Sequence, residues 1–402
     1  ADSDRQAYRG DVHLSADFTR FTTEKKEVGV NMLPGRVYIN DTLWNVGRGR
    51  LDWSDRRLHI DNFSLSHGTQ QLSLAGSLER GSGDTLAANL KDIEIGYIMD
   101  LINFHAVDFA GRATGHVVLT NSIDDPHISA RLDIADFLFN QASMGSLAVE
   151  ASWNRNENQV DLAAIMAEPG LSQTYINGFI SPRLKGLDLK FRTQGTNLQF
   201  INRYLEGIFS DVTGRASGHL RLHGPFKALD LEGQQAVHME CHVVPTGADY
   251  TIESDSVVIP PGCFAIHDIR LADAMGGQGS GHGELRHQNL RELTYDFNLR
   301  ARNLLAYDRS KELDMPFFAT ARVTGNLRME GRPGSFDADI DIRPERGTQL
   351  TYILDRPETT NSSQFITFRD RSLVASTKGG TKLPPMTQPM PTATDISLNF
   401  LI

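Results

Sequence analysis

The chain has 402 residues, of which 22% are charged and 40% hydrophobic, with a formal net charge of −10. That much apolar content can bury surface, which excludes a disordered polymer. The acidic balance leaves no basic stripe to displace counterions, so nucleic acid is excluded as a partner.

From the N-terminus onward, apolar and polar residues alternate with period two. Val12, Leu14, Ala16 and Phe18 share one face, and His13, Ser15, Asp17 and Thr19 the other. The same pattern recurs at Leu72-Leu74-Gly76-Leu78, Ile128-Ala130-Leu132-Ile134, Leu147-Val149-Ala151-Trp153 and Val160-Leu162-Ala164-Met166. It continues at Leu187-Leu189-Phe191, at Leu220 and Leu222, at Tyr295-Phe297-Leu299-Ala301, at Val323 and Leu327, and at Phe336-Ala338-Ile340-Ile342. One greasy and one wet face per strand is the signature of antiparallel sheet. Arg80 to Asp84 and Asn154 to Asn158 read as turns at hairpin spacing. Helical spacing is rare. It predicts short helices over Asp92–Phe104, Asn197–Phe209 and Arg302–Leu313; if the sheet forms a groove, these helices, near Ile98, Leu205 and Leu305, would sit at its rim or cap it between repeats. Thr377 to Ala393, within a wider stretch 371–393, reads as a long loop.

Three segments say nearly the same thing: Ala113-Thr114-Gly115, Ala216-Ser217-Gly218 and Val323-Thr324-Gly325. They recur at roughly 105 residues, which predicts an array of one supersecondary unit. The repeats divide the chain into a partial unit 1–91, full units 92–196 and 197–301, and a partial unit 302–402, all one continuous body. One short helix per unit cannot cover the strands that accompany it. The expected fold is therefore mostly β: an elongated, curved, mainly antiparallel sheet with an open groove. If roughly 25 strands stack at about 4.8 Å, it spans on the order of 100 Å.

Motifs that suggest chemistry fail on inspection. His238-Met239-Glu240-Cys241-His242, with Cys263 and His267, has the residue types of a zinc site, but alternation splits them between two faces. Whether Cys241 and Cys263 pair stays open. Asp337, Asp339 and Asp341 begin like a calcium loop, yet Ile342 stands where glycine is needed and Thr348 where glutamate is. Gly276 to Gly283 lacks the lysine-serine pair and the helix of a phosphate cradle, and reads as a bend in a curved sheet. No nucleophile elbow occurs. The sequence thus predicts no enzyme, no cofactor and no metal. No apolar run reaches the length of a membrane span. Ala1-Asp2-Ser3-Asp4 does not resemble a signal peptide, and Asp395 to Ile402 stops as a strand, so both ends read as cut.

The segment Phe317-Phe318-Ala319-Thr320-Ala321, Gly325-Asn326-Leu327, Gly331-Arg332-Pro333, Phe336 to Ile342 and Gln364-Phe365-Ile366-Thr367-Phe368 resembles the C-terminal region of the TamB (translocation and assembly module) family, AsmA-like relatives included, in its Bacteroidetes-type form. Asp61 to Gly68 and the Leu72–Leu78 strand resemble a further repeat of that family. The resemblance implies a β-taco, a U-shaped sheet with a greasy concave face. It also implies a periplasmic protein of Gram-negative bacteria, anchored in the inner membrane, that serves cell-envelope biogenesis by bridging to the outer membrane. Phospholipid transport is the implied activity. A TamA-type barrel is the implied partner in outer-membrane protein assembly or secretion. The expected groove lining is Val12, Leu14, Phe18, Leu72, Leu74, Leu78, Ile128, Leu132, Ile134, Leu147, Val149, Val160, Leu162, Leu187, Leu189, Phe191, Leu220, Leu222, Phe297, Leu299, Val323, Leu327, Phe336, Ile340 and Ile342, which would take phospholipid acyl chains. Two other readings fit the pattern. One is a scaffold that accepts unfolded strands by β-augmentation. The other is a closed β-solenoid, an adhesin or rod that buries its own apolar face.

Overall fold

The computed structural model describes residues 9–11, 14–20, 26–39, 42–79, 84–101, 108–120, 127–205, 207–288, 291–310, 317–332, 335–352 and 395–400. The N-terminal strands are β1 (Arg9–Asp11), β2 (Leu14–Arg20), β3 (Lys26–Met32), β4 (Gly35–Ile39), β5 (Thr42–Val46), β6 (Gly49–Ser54), β7 (Arg57–His67), β8 (Gln70–Glu79) and β9 (Thr85–Glu94). After the helix α1 (Ile95–Leu101) come β10 (Phe109–Thr120), β11 (His127–Phe139), β12 (Ala142–Asn154), β13 (Gln159–Glu168), β14 (Ser172–Ser181) and β15 (Gly186–Asn197). A 3-10 turn (Gln199–Arg203) leads to β16 (Phe209–Pro225), β17 (Asp230–Val243), β18 (Ala248–Ile259), β19 (Cys263–Ala272) and β20 (Gln278–Gln288). The last are β21 (Arg291–Arg309), β22 (Phe317–Arg332), β23 (Ser335–Pro344), β24 (Gln349–Tyr352) and β25 (Asp395–Phe400).

From β6 to β23 each strand pairs antiparallel with the next, an unbroken meander. β3 joins β2 to β6, while β5 and β6 lie end to end along one edge of β7. β23 and β24 share an edge of β22 in the same way, and β25 runs parallel to β23. The sheet is open, so the closed solenoid does not describe this chain.

Elements touch almost wholly through hydrogen-bonded neighbours; no second layer covers the described sheet. Helix α1 and the 3-10 turn pack locally on β10, β12 and β16, and two strand pairs also break that rule. β12 approaches β15, and β18 approaches β21, with Cα atoms within 8 Å. Strands three apart in a flat sheet stand about 14 Å from each other, so the sheet curls. Asn197 donates to the Ser143 carbonyl at 2.9 Å across the first approach, and Tyr250 donates to the Leu305 carbonyl at 2.5 Å across the second.

Bulges supply the curl, because an extra residue on one strand bends it and sharpens its twist. Register shifts occur at Asn62, Asp92, Asp136, Gly195, Asp211 and Asn303, each with positive φ. The recurring Ala-Thr-Gly, Ala-Ser-Gly and Val-Thr-Gly segments latch three of them. Thr114 Oγ1 accepts the Asp92 N–H at 3.0 Å, Ser217 Oγ the Gly195 N–H at 2.8 Å, and Thr324 Oγ1 the Asn303 N–H at 2.8 Å. The glycine that follows each hydroxyl has φ of 152°, 154° and 153°, and a Cβ there would lie 2.1 to 2.2 Å from a carbonyl oxygen of the next strand. The shared motif is thus a bulge latch joined to a close strand approach.

Of the three expected helices, the first starts later than the sequence suggests, the second is shorter, and the third is strand over its described residues. β9 runs through Asp92 to Glu94 before α1 begins, and only Gln199–Arg203 turns helically after β15. Arg302 to Arg309 continues β21, so Leu305 belongs to a strand. The stretch 371–393 lies outside the described residues. Gly276 and Gly277 sit in a turn, and Gly279, Gly281 and Gly283 leave room in β20 for Leu271, Leu299 and Phe297.

Candidate functional site

Directly opposed residues form rows across the sheet, and two rows on the inner face are apolar throughout. The first runs Phe63, Leu74, Ala88, Val117, Ala130, Ala151, Leu162, Gly178, Leu189, Leu222, Leu231. The second runs Val46, Leu65, Leu72, Leu90, Gly115, Leu132, Val149, Ala164, Ile176, Phe191, Leu220, Gly233, Ile259. It crosses thirteen strands without a polar side chain, about 60 Å at ordinary strand spacing. Leu132, Val149, Leu162, Leu189 and Leu222 are half-buried, which is the exposure of a wall packed on one side only. Apolar surface left so is costly in water, and it is the candidate binding face of the sheet.

Most of the expected lining falls on this face. Leu72, Leu74, Leu132, Val149, Leu162, Leu189, Phe191, Leu220 and Leu222 belong to the two rows above. Val160 and Leu187 share the row Trp153, Val160, Ile180, Leu187 toward one lip. Ile128 lies on the lip row of Leu86 and Leu119 and is 44% exposed. Leu78 faces Leu58 and is buried. Toward the C-terminus, Leu299, Leu327 and Ile340 share one row, and Ile342 faces Gly325. Backbone register places Leu14 opposite Met32, Phe18 opposite Val28 and Phe336 opposite Gly331. Val12 lies outside the described residues.

Part of the face is filled by the protein itself. Ile134 is buried in a cluster with Ile95, Ala113, Phe137, Ala142 and Met144, against which Leu147, Val149 and Phe200 pack. α1 closes over this region; Tyr97 donates to Thr42 of β5 at 2.9 Å, and its ring meets Trp44 edge-on at 5.5 Å. A second cluster, Ile269, Leu271 and Leu304, takes Phe297 and Leu299 at its margin, and Val323 is buried opposite Leu304. Sequence reasoning missed this filling, because it depends on α1 and the 3-10 turn folding back over β10 to β12 and on β18 meeting β21.

The outer face is polar and stitched by cross-strand pairs. Arg131 meets Glu150 at 2.7 Å, Arg221 meets Asp188 at 2.7 Å, and Arg270 meets Asp255 at 2.8 Å. The Arg221 hydrogen bond holds the Asp188 carboxyl below its usual range. His238 and His242 face out against Glu253 and Asp249, while Cys241 is buried. Cys241 and Cys263 are both free thiols, and burial pushes the Cys241 thiol up to about 11. Asp337, Asp339 and Asp341 are exposed on one strand face. No group of three or more metal-ligating side chains occurs among the described residues.

One ion pair is sealed inside. Asp273 and Arg322 meet at 3.3 Å with side chains 1% and 8% exposed. The Asp273 carboxylate accepts the N–H groups of Met275 at 2.8 Å, Gly277 at 2.9 Å and Leu305 at 2.7 Å. Arg322 also donates to the side chain and carbonyl of Asn303, at the β21 bulge. Burial opposes ionisation of Asp273, but the three N–H donors and the Arg322 charge outweigh it, and its carboxyl is held below the ordinary range.

Residues 267–401 match the family model described as the TamB C-terminal domain. Neither a curated protein nor a solved structure matches the chain.

Proposed function

Because residues 267–401 match the TamB C-terminal domain, we propose that the chain works as a TamB-family protein and that its apolar inner face is a conduit along which phospholipid acyl chains move between membranes. TamB proteins are envelope proteins of Gram-negative bacteria, and the family is generally structural or transporting, not enzymatic. The observation that carries the finer reading is the thirteen-strand row from Val46 to Ile259. Exposing acyl chains to water costs about 0.8 kcal/mol per CH₂, so two long chains face a barrier on the order of 20 kcal/mol. A continuous greasy wall removes most of it with no chemistry. The polar back and its cross-strand ion pairs keep the other face in water.

The test places a photocrosslinking residue at Leu189 in the full-length protein and irradiates intact cells. Captured phospholipid, together with loss of transport in Leu189→Asp, is the expected result. Capture of polypeptide alone would replace the conduit with a scaffold for outer-membrane protein assembly beside a TamA-type barrel.

A further inference from the structure

Next to the two apolar rows runs a third: Ala113, Ile134, Leu147, Met166, Thr174, Thr193, Gly218, Gln235, Val257, Ile266, Gly283, Phe297. Its first part is filled by the Ile134 cluster beneath α1, and its last part borders the Ile269 cluster. Between the two, over β14 to β17, no apolar cluster fills it. There the inward side chains turn polar.

We propose that Thr174, Thr193, Thr196, Gln235 and Ser254 form a polar waist that bars acyl chains from the third row and confines a lipid to the first two. The proposal rests on the conduit reading and adds the width of the path. All five side chains are buried, with exposures of 2%, 6%, 8%, 5% and 4% in that order. They are paired among themselves or with the adjoining strand. Thr174 and Thr196 share a hydroxyl–hydroxyl hydrogen bond at 2.5 Å, Thr193 donates to Gln235 Oε1 at 2.8 Å, and Ser254 donates to Asp268 at 2.7 Å. Gly218 stands between Thr193 and Gln235 in the row, and its missing side chain lets their bond pass over it.

The waist repels methylene by a simple route. A chain could enter this row only by parting the Thr174–Thr196 and Thr193–Gln235 hydrogen bonds, and it offers no hydrogen bond in return. The first two rows pass beside the waist through Gly178, Leu189 and Leu222 and through Phe191, Leu220 and Gly233, with nothing polar between. Neighbouring rows lie two residues apart along each strand, about 7 Å. Two rows therefore make a bed for the two chains of one lipid, side by side and in single file.

The experiment compares photocrosslinkers at Leu220, on the second row, and at Val257, on the third, in the full-length protein. The wild-type background should capture phospholipid at Leu220 and none above the unirradiated control at Val257. A second background carries Thr174→Val, Thr193→Val, Thr196→Val and Gln235→Leu, which removes both members of each hydrogen-bonded pair and leaves no new orphan. Circular dichroism and melting confirm that it folds. There, capture at Val257 should rise to the level at Leu220. Equal capture at both positions in the wild type overturns the waist, as does a folded quadruple variant with no gain at Val257. If the quadruple variant fails to fold, the pair Thr193→Val with Gln235→Leu takes its place, with the same gain at Val257 expected and its absence overturning the waist. Absence of lipid at Leu220 in every background overturns the conduit itself and leaves the two failures distinguishable.

Discussion

Gly218→Ala tests the repeated latch motif most sharply. A Cβ at this position would stand 2.2 Å from the Gln234 carbonyl oxygen and 3.0 Å from the Gln235 Cα. A carbon rests about 3.3 Å or more from a carbonyl oxygen, so β16 and β17 must part by about 1 Å. Overpacking of this kind costs about 1–3 kcal/mol. The φ of 154° adds strain for any residue with a Cβ. Alanine also stiffens the unfolded chain, which returns roughly 0.4–1 kcal/mol. The expected net loss is about 2–4 kcal/mol. Gly68→Ala is the control, since Gly68 also has positive φ, at 55°, but nothing lies within 4 Å of its Cβ position. That substitution should cost only about 1 kcal/mol, the left-handed penalty alone. Urea unfolding of both variants, with hydrogen exchange read over β15 to β17, separates the terms. Equal losses in Gly218→Ala and Gly68→Ala would refute the close-approach argument.

Ser217→Ala removes the acceptor of the Gly195 N–H and should cost about 1 kcal/mol, seen as faster exchange at that amide, whereas Ser217→Thr should hold because threonine makes the same bond at positions 114 and 324. Arg322→Leu leaves the Asp273 carboxylate buried beside backbone donors alone, and a loss of about 3–5 kcal/mol in urea unfolding is expected, partly recovered in Arg322→Leu/Asp273→Asn. Since the folded carboxyl is held below its ordinary value of 3.8, the Asp273 contribution is complete above that pH and fades as pH falls through the lower folded value; melting temperature followed from pH 6 to pH 2 should lose this component in Asp273→Asn. Cys241, buried and with its thiol pushed up to about 11, should resist alkylation at pH 8 in the native protein, with Cys263 reacting first by mass spectrometry.

Alternation was enough to find the wall, because a sheet with one covered face writes period two along every strand. The helix expected over Arg302–Leu313 shows where that legibility ends. In β21 the inward residues run Phe297, Leu299, Ala301 and then Leu304, a step of three forced by the bulge at Asn303. A step of three is also how a helix looks in sequence. The same disguise covers Leu90 to Ile93 in β9, just before the one α-helix described. The motif glycines were visible as a repeat, but the hydroxyl latch they accompany joins residues 21 or 22 apart and cannot be read from one strand. Thr174, Thr193 and Gln235 escaped notice for another reason. Each interrupts an apolar alternation, and an interruption acquires meaning only when register puts three of them in one row.

The bulges explain how so long a wall stays apolar. A strand shifted by one residue turns its whole inner set outward, and a row of thirteen strands offers many places for that to happen. Strict alternation from Leu90 would point Asp92 and Glu94 inward; the bulge at Asp92 brings Ile93 opposite Ala113 instead and leaves Glu94 exposed. From Ile134, alternation would bring in Asp136, and the bulge there delivers Phe137 to the buried cluster. From Ala301 it would bring in Asn303, and the bulge supplies Leu304. In each case one residue with positive φ carries the polar side chain away from the inner face, and at Asp92 and Asn303 a hydroxyl on the next strand holds it there. Curvature and apolar continuity thus come from the same local device. A variant that loosens a latch should both flatten the sheet locally and admit charge to the wall.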